Sequence, residues 1–118
     1  TSVETIKASA FSGATKLTSV PEMAKLVTIE DSAFKNCKAL TKIILSAKVK
    51  NIGKEAFLNC SKLKTITIKS KLLKDKTVGA NAFKGIASKP TVSCPSGKVK
   101  TYKTLLLKKG MSKNTKFK

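Results

Sequence analysis

Three residue types that often carry chemistry are missing from this 118-residue sequence: histidine, arginine and tryptophan. Without histidine there is no Ser-His-Asp or Cys-His catalytic arrangement, and an ordinary catalytic zinc site lacks its commonest ligand. Only six side chains are carboxylates, and they are spread along the chain, which argues against a site for a divalent cation. The sequence therefore predicts a protein that is not an enzyme and that uses no metal or cofactor.

Long apolar runs are also missing. No stretch approaches the 18 or so apolar residues that a membrane-spanning helix needs, so no membrane span is predicted. The first 25 residues lack the charged segment followed by an apolar segment that marks a secretory signal peptide. Hydrophobic residues nevertheless make up 41% of the chain, which is enough for a packed core.

Charge is unevenly distributed along the chain. All 25 basic residues are lysines and six residues are acidic, which gives a formal net charge of +19. Residues 1–31 hold three lysines and four acids, whereas residues 98–118 hold eight lysines and no acid. Such a field attracts anionic polymers. Nucleic acid is not the predicted partner, because its binding sites usually add arginine and stacking aromatics. The alternative is that the lysines only reflect genome composition and a solvated surface.

An internal repeat is the strongest signal in the sequence. The dipeptide Ala-Phe occurs at residues 10–11, 33–34, 56–57 and 82–83. Five residues before each phenylalanine stand Ile6, Ile29, Ile52 and Val78. Nine residues after each phenylalanine stand Val20, Ile43, Ile66 and Val92. A period of 20 to 29 residues with such aliphatic columns is typical of leucine-rich repeats.

Each repeat unit is expected to combine a strand with a short helical turn. Residues 40–45 and 63–68 alternate apolar and polar side chains, which predicts half-buried strands that pair in parallel from unit to unit. The segment around each Ala-Phe is predicted to form a helical turn. That turn ends two residues after the phenylalanine, where only glycine or asparagine occurs and a left-handed backbone is tolerated.

The C-terminal segment departs from the repeat. Residues 96–109 read as an amphipathic helix with Ser96 as the N-cap, and Val99, Tyr102, Leu105 and Leu106 fall on one face. We predict an α/β fold: a leucine-rich-repeat solenoid, that is a right-handed βα superhelix with short parallel strands, about four repeats of 23–26 residues and a C-terminal capping helix. The repeats occupy residues 1–95 and the basic cap and tail occupy residues 96–118. No cap precedes the first unit, so further repeats are expected upstream.

The best-formed unit resembles a known family. Its pattern is Val49-x-x-Ile52-Gly53-x-x-Ala56-Phe57-x-x-Cys60-x-x-Leu63-x-x-Ile66-x-Ile68. This is similar to the BspA-type (treponemal) leucine-rich repeat of bacterial surface proteins, over residues 3–95. The resemblance implies a protein that is secreted or displayed on the bacterial cell surface and that takes part in adhesion to host proteins or other cells.

Two sets of residues are candidates for binding a partner. By strand alternation, the outward face of the predicted sheet carries Lys42, Ile44, Thr65, Thr67, Lys69, Thr91 and Ser93. The basic tail carries Lys98, Lys100, Lys103, Lys108, Lys109, Lys113 and Lys116. The first set predicts a non-enzymatic module that binds a protein or glycan through its sheet face. The second set favours an alternative, a structural spacer or anchor whose lysine-rich end binds anionic wall polymers or glycans.

Three cysteines leave an odd count. Cys37 and Cys60 are 23 residues apart and are expected to stack in neighbouring units. A disulfide or a metal pair is one interpretation of that spacing. Their apolar surroundings favour the other interpretation, which is that both are buried free thiols.

Overall fold

A computed structural model describes residues 2–118 and places two parallel sheets side by side along the repeats. The strands are β1 (Thr5–Ile6), β2 (Thr28–Ile29), β3 (Lys42–Leu45), β4 (Asn51–Ile52), β5 (Thr65–Ile68), β6 (Thr91–Ser93) and β7 (Lys116–Phe117). The first sheet has the order β1-β2-β4 and the second has the order β3-β5-β6-β7. One α-helix, α1 (Val99–Lys108), and one 3₁₀ turn (Asp75–Thr77) complete the regular structure of the described residues.

The second sheet contains the strands that the sequence predicts. Strands β3, β5 and β6 pair in parallel, with Ile43 opposite Ile66 and Ile66 opposite Val92. All three side chains point inward and are buried. The aliphatic column nine residues after each phenylalanine is therefore the inward row of this sheet, as alternation requires.

The first sheet is not among the sequence-based predictions. It is built from the aliphatic column five residues before each phenylalanine, and each strand has only two residues. Ile6 pairs with Ile29, Ile29 pairs with Ile52, and an isolated bridge joins Ile52 to Val78. A two-residue strand is too short to show alternation in the sequence, which is why only its column of residues was visible.

The Ala-Phe segment forms stacked turns instead of the predicted helical turn. Each segment has a left-handed residue two positions after the phenylalanine, as expected, at Gly13, Asn36, Asn59 and Gly85. A second left-handed residue, two positions before the phenylalanine, occurs at Ser9, Ser32, Glu55 and Asn81. Left-handed backbone on both sides breaks an α-helix. The prediction of a helical turn is therefore wrong.

Backbone hydrogen bonds of these turns run to the next unit. The N–H of each phenylalanine donates to the carbonyl of the alanine one unit further along: Phe11 to Ala33, Phe34 to Ala56, and Phe57 to Ala82, at 2.7 to 2.8 Å. Other N–H groups of the turns bond within their own unit, as Lys35 does to the Ser32 carbonyl and Cys37 to the Phe34 carbonyl, so each turn bonds both to itself and to its neighbour. The turns consequently act as a third ladder beside the two sheets.

The core lies between the two sheets and the turns. The phenylalanine rings stack on one another with centroid separations of 5.3, 5.1 and 5.2 Å along the series Phe11, Phe34, Phe57 and Phe83. The last three are fully buried, and Phe11 is half-buried. Beside this stack, the Sγ of Cys60 donates to the Phe34 carbonyl at 3.0 Å. One column of identical side chains thus holds consecutive units in register.

The C-terminal segment joins the ladders of the repeats. Helix α1 buries Tyr102, Leu105 and Leu106, as the sequence predicts. The carbonyl of Lys109, just after α1, accepts the N–H of Phe83 at 3.0 Å, which is the place an alanine of the next repeat takes elsewhere. Strand β7 then pairs with β6 and sets Phe117 opposite Val92.

Two details of the predicted helix are wrong. The helix begins at Val99 with Lys98 as its N-cap, and no side chain caps it, so Ser96 has no capping role. Val99 is 38% exposed, because the helix turns its Tyr102 and Leu106 side toward the core and leaves its first turn outside.

Candidate partner-binding surfaces

The outward side of the second sheet carries two rows of side chains in register. The first row runs across all four strands as Lys42, Thr65, Thr91 and Lys116. The second row runs across β3, β5 and β6 as Ile44, Thr67 and Ser93. Parallel strands lie about 4.8 Å apart, so each row is a ladder of evenly spaced groups. We call these seven residues the sheet face.

Exposure separates the two rows. Lys42, Thr65 and Lys116 are exposed and Thr91 is half-buried, whereas Ile44, Thr67 and Ser93 are all half-buried. The first row thus has two threonine hydroxyls between a lysine at each end, and the second row adds two more hydroxyls and one isoleucine. The sheet face offers hydrogen-bond donors and acceptors on a rigid spacing, with positive charge at both ends.

Lys69 is placed apart from the sheet face. It follows β5 and its Nζ lies 2.9 Å from each carboxylate oxygen of Glu22. The same carboxylate accepts a longer hydrogen bond, 3.5 Å, from the buried Ser46 hydroxyl. The charge of Lys69 is therefore compensated within the protein. The other six residues predicted for this surface do lie together on two adjacent rows.

The lysines of the basic tail are spread over several elements. Five of them are exposed: Lys100, Lys103, Lys108, Lys113 and Lys116. Lys98 is half-buried at the start of α1. Lys116 belongs to the sheet face, so the two sets of residues predicted separately meet at β7.

Lys109 differs from the other tail lysines because its side chain binds Asp75 in the loop of residues 69–77. Its side chain is 12% exposed, and its Nζ lies 3.2 Å from Asp75 Oδ1 and donates to the Asp75 carbonyl at 3.1 Å. The hydrogen bond from Lys109 to the Asp75 carboxylate and the nearby charges of Lys109 and Lys108 lower the pKa of Asp75. Lys109 thus ties the end of α1 to the loop of residues 69–77.

A pocket of about 320 Å³ lies between that loop and α1. Leu73 and Leu105, both almost fully buried, form its apolar base. Around them stand four lysines, two threonines and one acid: Lys71, Lys74, Lys98, Lys108, Thr101, Thr104 and Asp75. We call this concavity the loop–helix pocket. Sequence reasoning missed it, although the loop coincides with the longer spacing of 26 residues between the third and fourth Ala-Phe dipeptides.

A second concavity of about 500 Å³ follows the first sheet. It is lined by Thr28 and Asn51 of the outward row and by the acids Glu30 and Asp31. Both acids already accept backbone N–H groups: Glu30 Oε1 from Ala8 at 3.0 Å, and Asp31 Oδ1 from Lys54 at 2.8 Å. The two carboxylates therefore hold neighbouring units together, and we assign them a structural role.

The three cysteines are free thiols. Cys37 and Cys60 are buried, and Cys94 is half-buried. Burial raises the pKa of Cys60 to about 12 and also raises that of Cys37, so neither forms a thiolate near neutral pH. The interpretation of the column as buried free thiols is confirmed.

The described part of the chain holds neither a cluster of metal ligands nor a membrane-spanning helix. Within residues 2–118, cysteine and acidic side chains nowhere gather in groups of three or more that would hold a metal ion. In the same range, no helix has the length and apolar character needed to cross a membrane.

Comparison with known proteins identifies the repeat. The family model for the BspA type leucine rich repeat region matches residues 1–109 in six copies. This count exceeds the four units marked by Ala-Phe, and the match extends past residue 95 through α1 to Lys109. Neither a curated protein nor a solved structure matches the chain significantly. Since the matched region covers nearly the whole sequence and its repeats form the ladders described above, the chain belongs to the BspA-type leucine-rich repeat family.

Proposed function

We propose that this chain is a non-enzymatic binding module of a secreted or surface-displayed bacterial protein. It recognises a host protein or another macromolecule through the sheet face. Leucine-rich repeats of this family are typically binding modules, and its members are commonly bacterial surface proteins. The family membership supports the class of function, and the sheet face supports the place on the molecule.

The single observation that carries the proposal is the separation of the sheet face from the core. Inward Ile43, Ile66 and Val92 hold the sheet, while the outward rows beside them contact solvent. Outward side chains can therefore differ between proteins without disturbing the fold, as in other repeat proteins that bind through an extended sheet. We further propose that the parallel ladders wind as a right-handed solenoid, which would present the rows as one continuous surface.

A binding panel with charge-matched variants tests this function. The full chain is measured by surface plasmon resonance against host matrix proteins, glycans and wall polymers at 50 mM and 300 mM NaCl. We expect a protein or glycan partner whose affinity falls about tenfold or more in the variant Thr65→Glu/Thr91→Glu. The control Ser12→Glu/Thr15→Glu introduces the same charge at exposed positions of the first unit and retains binding. Retention of every interaction by the sheet-face variant would contradict the proposal.

A second candidate function rests on the exposed lysines of the tail. Residues 98–118 hold eight lysines and no acid, and five of the seven lysines predicted to bind polyanions are exposed. We propose as the alternative a spacer or anchor that binds anionic wall polymers or glycans through this end. Binding of that kind weakens steeply between the two salt concentrations and is lost when the exposed lysines of this set outside the sheet face, Lys100, Lys103, Lys108 and Lys113, become glutamates. Binding through the sheet face survives both changes.

A further inference from the structure

We propose that the loop–helix pocket binds a small phosphorylated polyol, with lysine ammonium groups on the phosphate and the two leucines beneath the carbon skeleton. This site is separate from the sheet face, because the two share no residue. Two of its lysines, Lys71 and Lys74, belong to the loop and lie outside the tail.

The charge of the pocket favours an anionic group. Lys71 and Lys74 come from the loop, and Lys98 and Lys108 come from the two ends of the helical segment, so lysines line the concavity on both walls. The single acid among the lining residues, Asp75, has its Oδ1 3.2 Å from the ammonium group of Lys109, which compensates its charge. The four lysines therefore remain as net positive charge. An oxyanion between two such walls gains from each of them, whereas the same lysines on a convex surface would be screened separately.

The shape of the pocket favours more than a bare ion. Its volume, about 320 Å³, is at the lower end of the range of small-molecule sites. Leu73 and Leu105 supply an apolar base, and the exposed Thr101 and Thr104 supply hydroxyl groups. A polyol offers carbon atoms to the first pair and hydroxyl groups to the second, and its phosphate offers oxygens to the lysines. An inorganic anion would use the lysines alone.

The pocket is built on fixed elements. The hydroxyl of Tyr102 in α1 donates to the Ser70 carbonyl at 2.7 Å and accepts the Leu73 N–H at 3.3 Å. At the other end of the helix, Lys109 holds Asp75. The loop is therefore attached to α1 on both sides of the pocket, which preserves the spacing of its walls before any ligand arrives.

The pocket residues of α1 and its N-cap share one helix face, on which three polar side chains accompany the core residue Leu105. Lys98, Thr101, Leu105 and Lys108 are spaced at i, i+3, i+7 and i+10, the spacing of one helix face. Tyr102 and Leu106, which pack against the repeats, lie on the adjoining face. Lys100 and Lys103 are exposed on the same helix and do not line the pocket. These two lysines provide a matched control.

Isothermal titration calorimetry of the full chain, with glycerol 1-phosphate and glucose 6-phosphate as probes, tests the proposal. Both probes are expected to bind, glucose is not, and inorganic phosphate is expected to bind about tenfold more weakly than either ester. A glycerol phosphate oligomer forms a further arm. Tighter binding of the oligomer than of the monomer indicates a polymer as the source of the ligand, and equal binding indicates a free sugar phosphate. If inorganic phosphate binds as tightly as the esters, the polyol is not recognised and the proposal fails.

Matched variants separate the pocket from the general charge of the tail. Lys74→Gln/Lys98→Gln is expected to weaken binding of glucose 6-phosphate about tenfold, and Lys100→Gln/Lys103→Gln, with the same change of charge, less than threefold. Thr101→Val keeps the charge and is expected to weaken binding about threefold. Circular dichroism and thermal unfolding establish that each variant folds. Equal losses in the two lysine pairs would show that binding follows net charge, which would overturn the pocket while leaving the sheet-face proposal untouched.

Discussion

The middle repeats and the C-terminal end of this protein meet the same packing requirement in different ways. Around Phe34 and Phe57, each unit supplies the next with an alanine carbonyl, a stacked ring and a strand in register. At the end of the stack, a helix terminus supplies the carbonyl and a two-residue strand supplies the sheet edge. The stack of four rings ends at Phe83, and the fifth phenylalanine, Phe117, lies opposite Val92 in the second sheet.

The difference indicates which part of the molecule has polar side chains that are not used to join neighbouring units. Among the regular units, acids and turns are occupied with joining neighbours, as with Asp31 on the Lys54 N–H. In the fourth unit, the loop of residues 69–77 and α1 diverge from the repeat and leave a lysine-lined pocket between them. The regular units thus stabilise the stack, and the pocket lies where the chain departs from the repeat. The following predictions test that comparison in order of decreasing effect.

The largest effect is expected inside the regular stack. Phe57→Ala removes a ring that is fully buried between two others and should lower the free energy of unfolding by about 3–5 kcal/mol. Phe11→Ala is the matched change at a half-buried position with one stacked neighbour, and its cost should be clearly smaller. Urea unfolding followed by circular dichroism measures both. Equal costs would show that the stack does not act as one core.

The next effect is expected where α1 joins the loop. Tyr102→Phe keeps the ring but leaves the Ser70 carbonyl and the Leu73 N–H without this partner, which should cost about 1–3 kcal/mol. Thr104→Val, an exposed change on the same helix, should stay within about 0.5 kcal/mol of the parent. Thermal unfolding distinguishes the two. A neutral Tyr102→Phe would mean that the helix is held by apolar contact alone.

A pH-dependent effect is expected from the thiol column. The unfolded Cys60 thiol ionises near pH 8.5, whereas burial raises its pKa to about 12 in the folded protein. Between these values the folded state binds more protons than the unfolded state, so the free energy of unfolding falls as pH rises through this window. The variant Cys60→Ala has no thiol at this position and so lacks this pH-dependent contribution to the free energy of unfolding. The stability difference between the parent and Cys60→Ala should therefore narrow from pH 7.5 to pH 10 in urea titrations, and parallel curves would contradict it.

The smallest effect is expected at the ion pair that ends α1. Asp75→Asn removes a carboxylate that is exposed and bound to Lys109, so its loss is screened by solvent. We expect a slightly lower melting temperature at 20 mM salt and no difference at 500 mM salt. Because the pKa of Asp75 is lowered, its contribution is present above the usual carboxyl pKa and is lost as pH falls below it. A loss that persists at high salt would point to packing instead of charge.

Much of the fold could be predicted from the sequence because the same residue types recur at the same positions of each repeat unit. The column Ile43, Ile66 and Val92 predicted a parallel strand and its register, and glycine or asparagine after each phenylalanine predicted the left-handed residue. The two-residue strands of the first sheet and β7 were missed, because so short a segment has no periodicity of its own. The turns were misread as helical since only one of their two left-handed positions carries a characteristic residue type; the other is occupied by Ser9, Ser32, Glu55 and Asn81.

The candidate sites were visible to the extent that they depend on strand alternation. The two rows of the sheet face follow from the period of two, which is local to each strand. The loop–helix pocket and the pairing of Lys109 with Asp75 depend on where α1 docks against a loop some 25 to 35 residues earlier. No sequence pattern within α1 or within the loop indicates that the two segments pack together. Contacts between segments so far apart in the sequence can be identified only in the folded structure.

The last strand of the second sheet has a consequence for self-association. Strand β7 ends the order β3-β5-β6-β7, and its Phe117 is flanked by the exposed Lys116 and Lys118. An unpaired parallel edge is a template on which a further chain can add a strand. Lysines beside that edge place like charges against each other whenever two such ends approach, and the short strand offers few backbone groups to pair. Both the charge and the shortness of β7 thus disfavour edge-to-edge pairing of its sheet, by the means that natural sheets use at their edges.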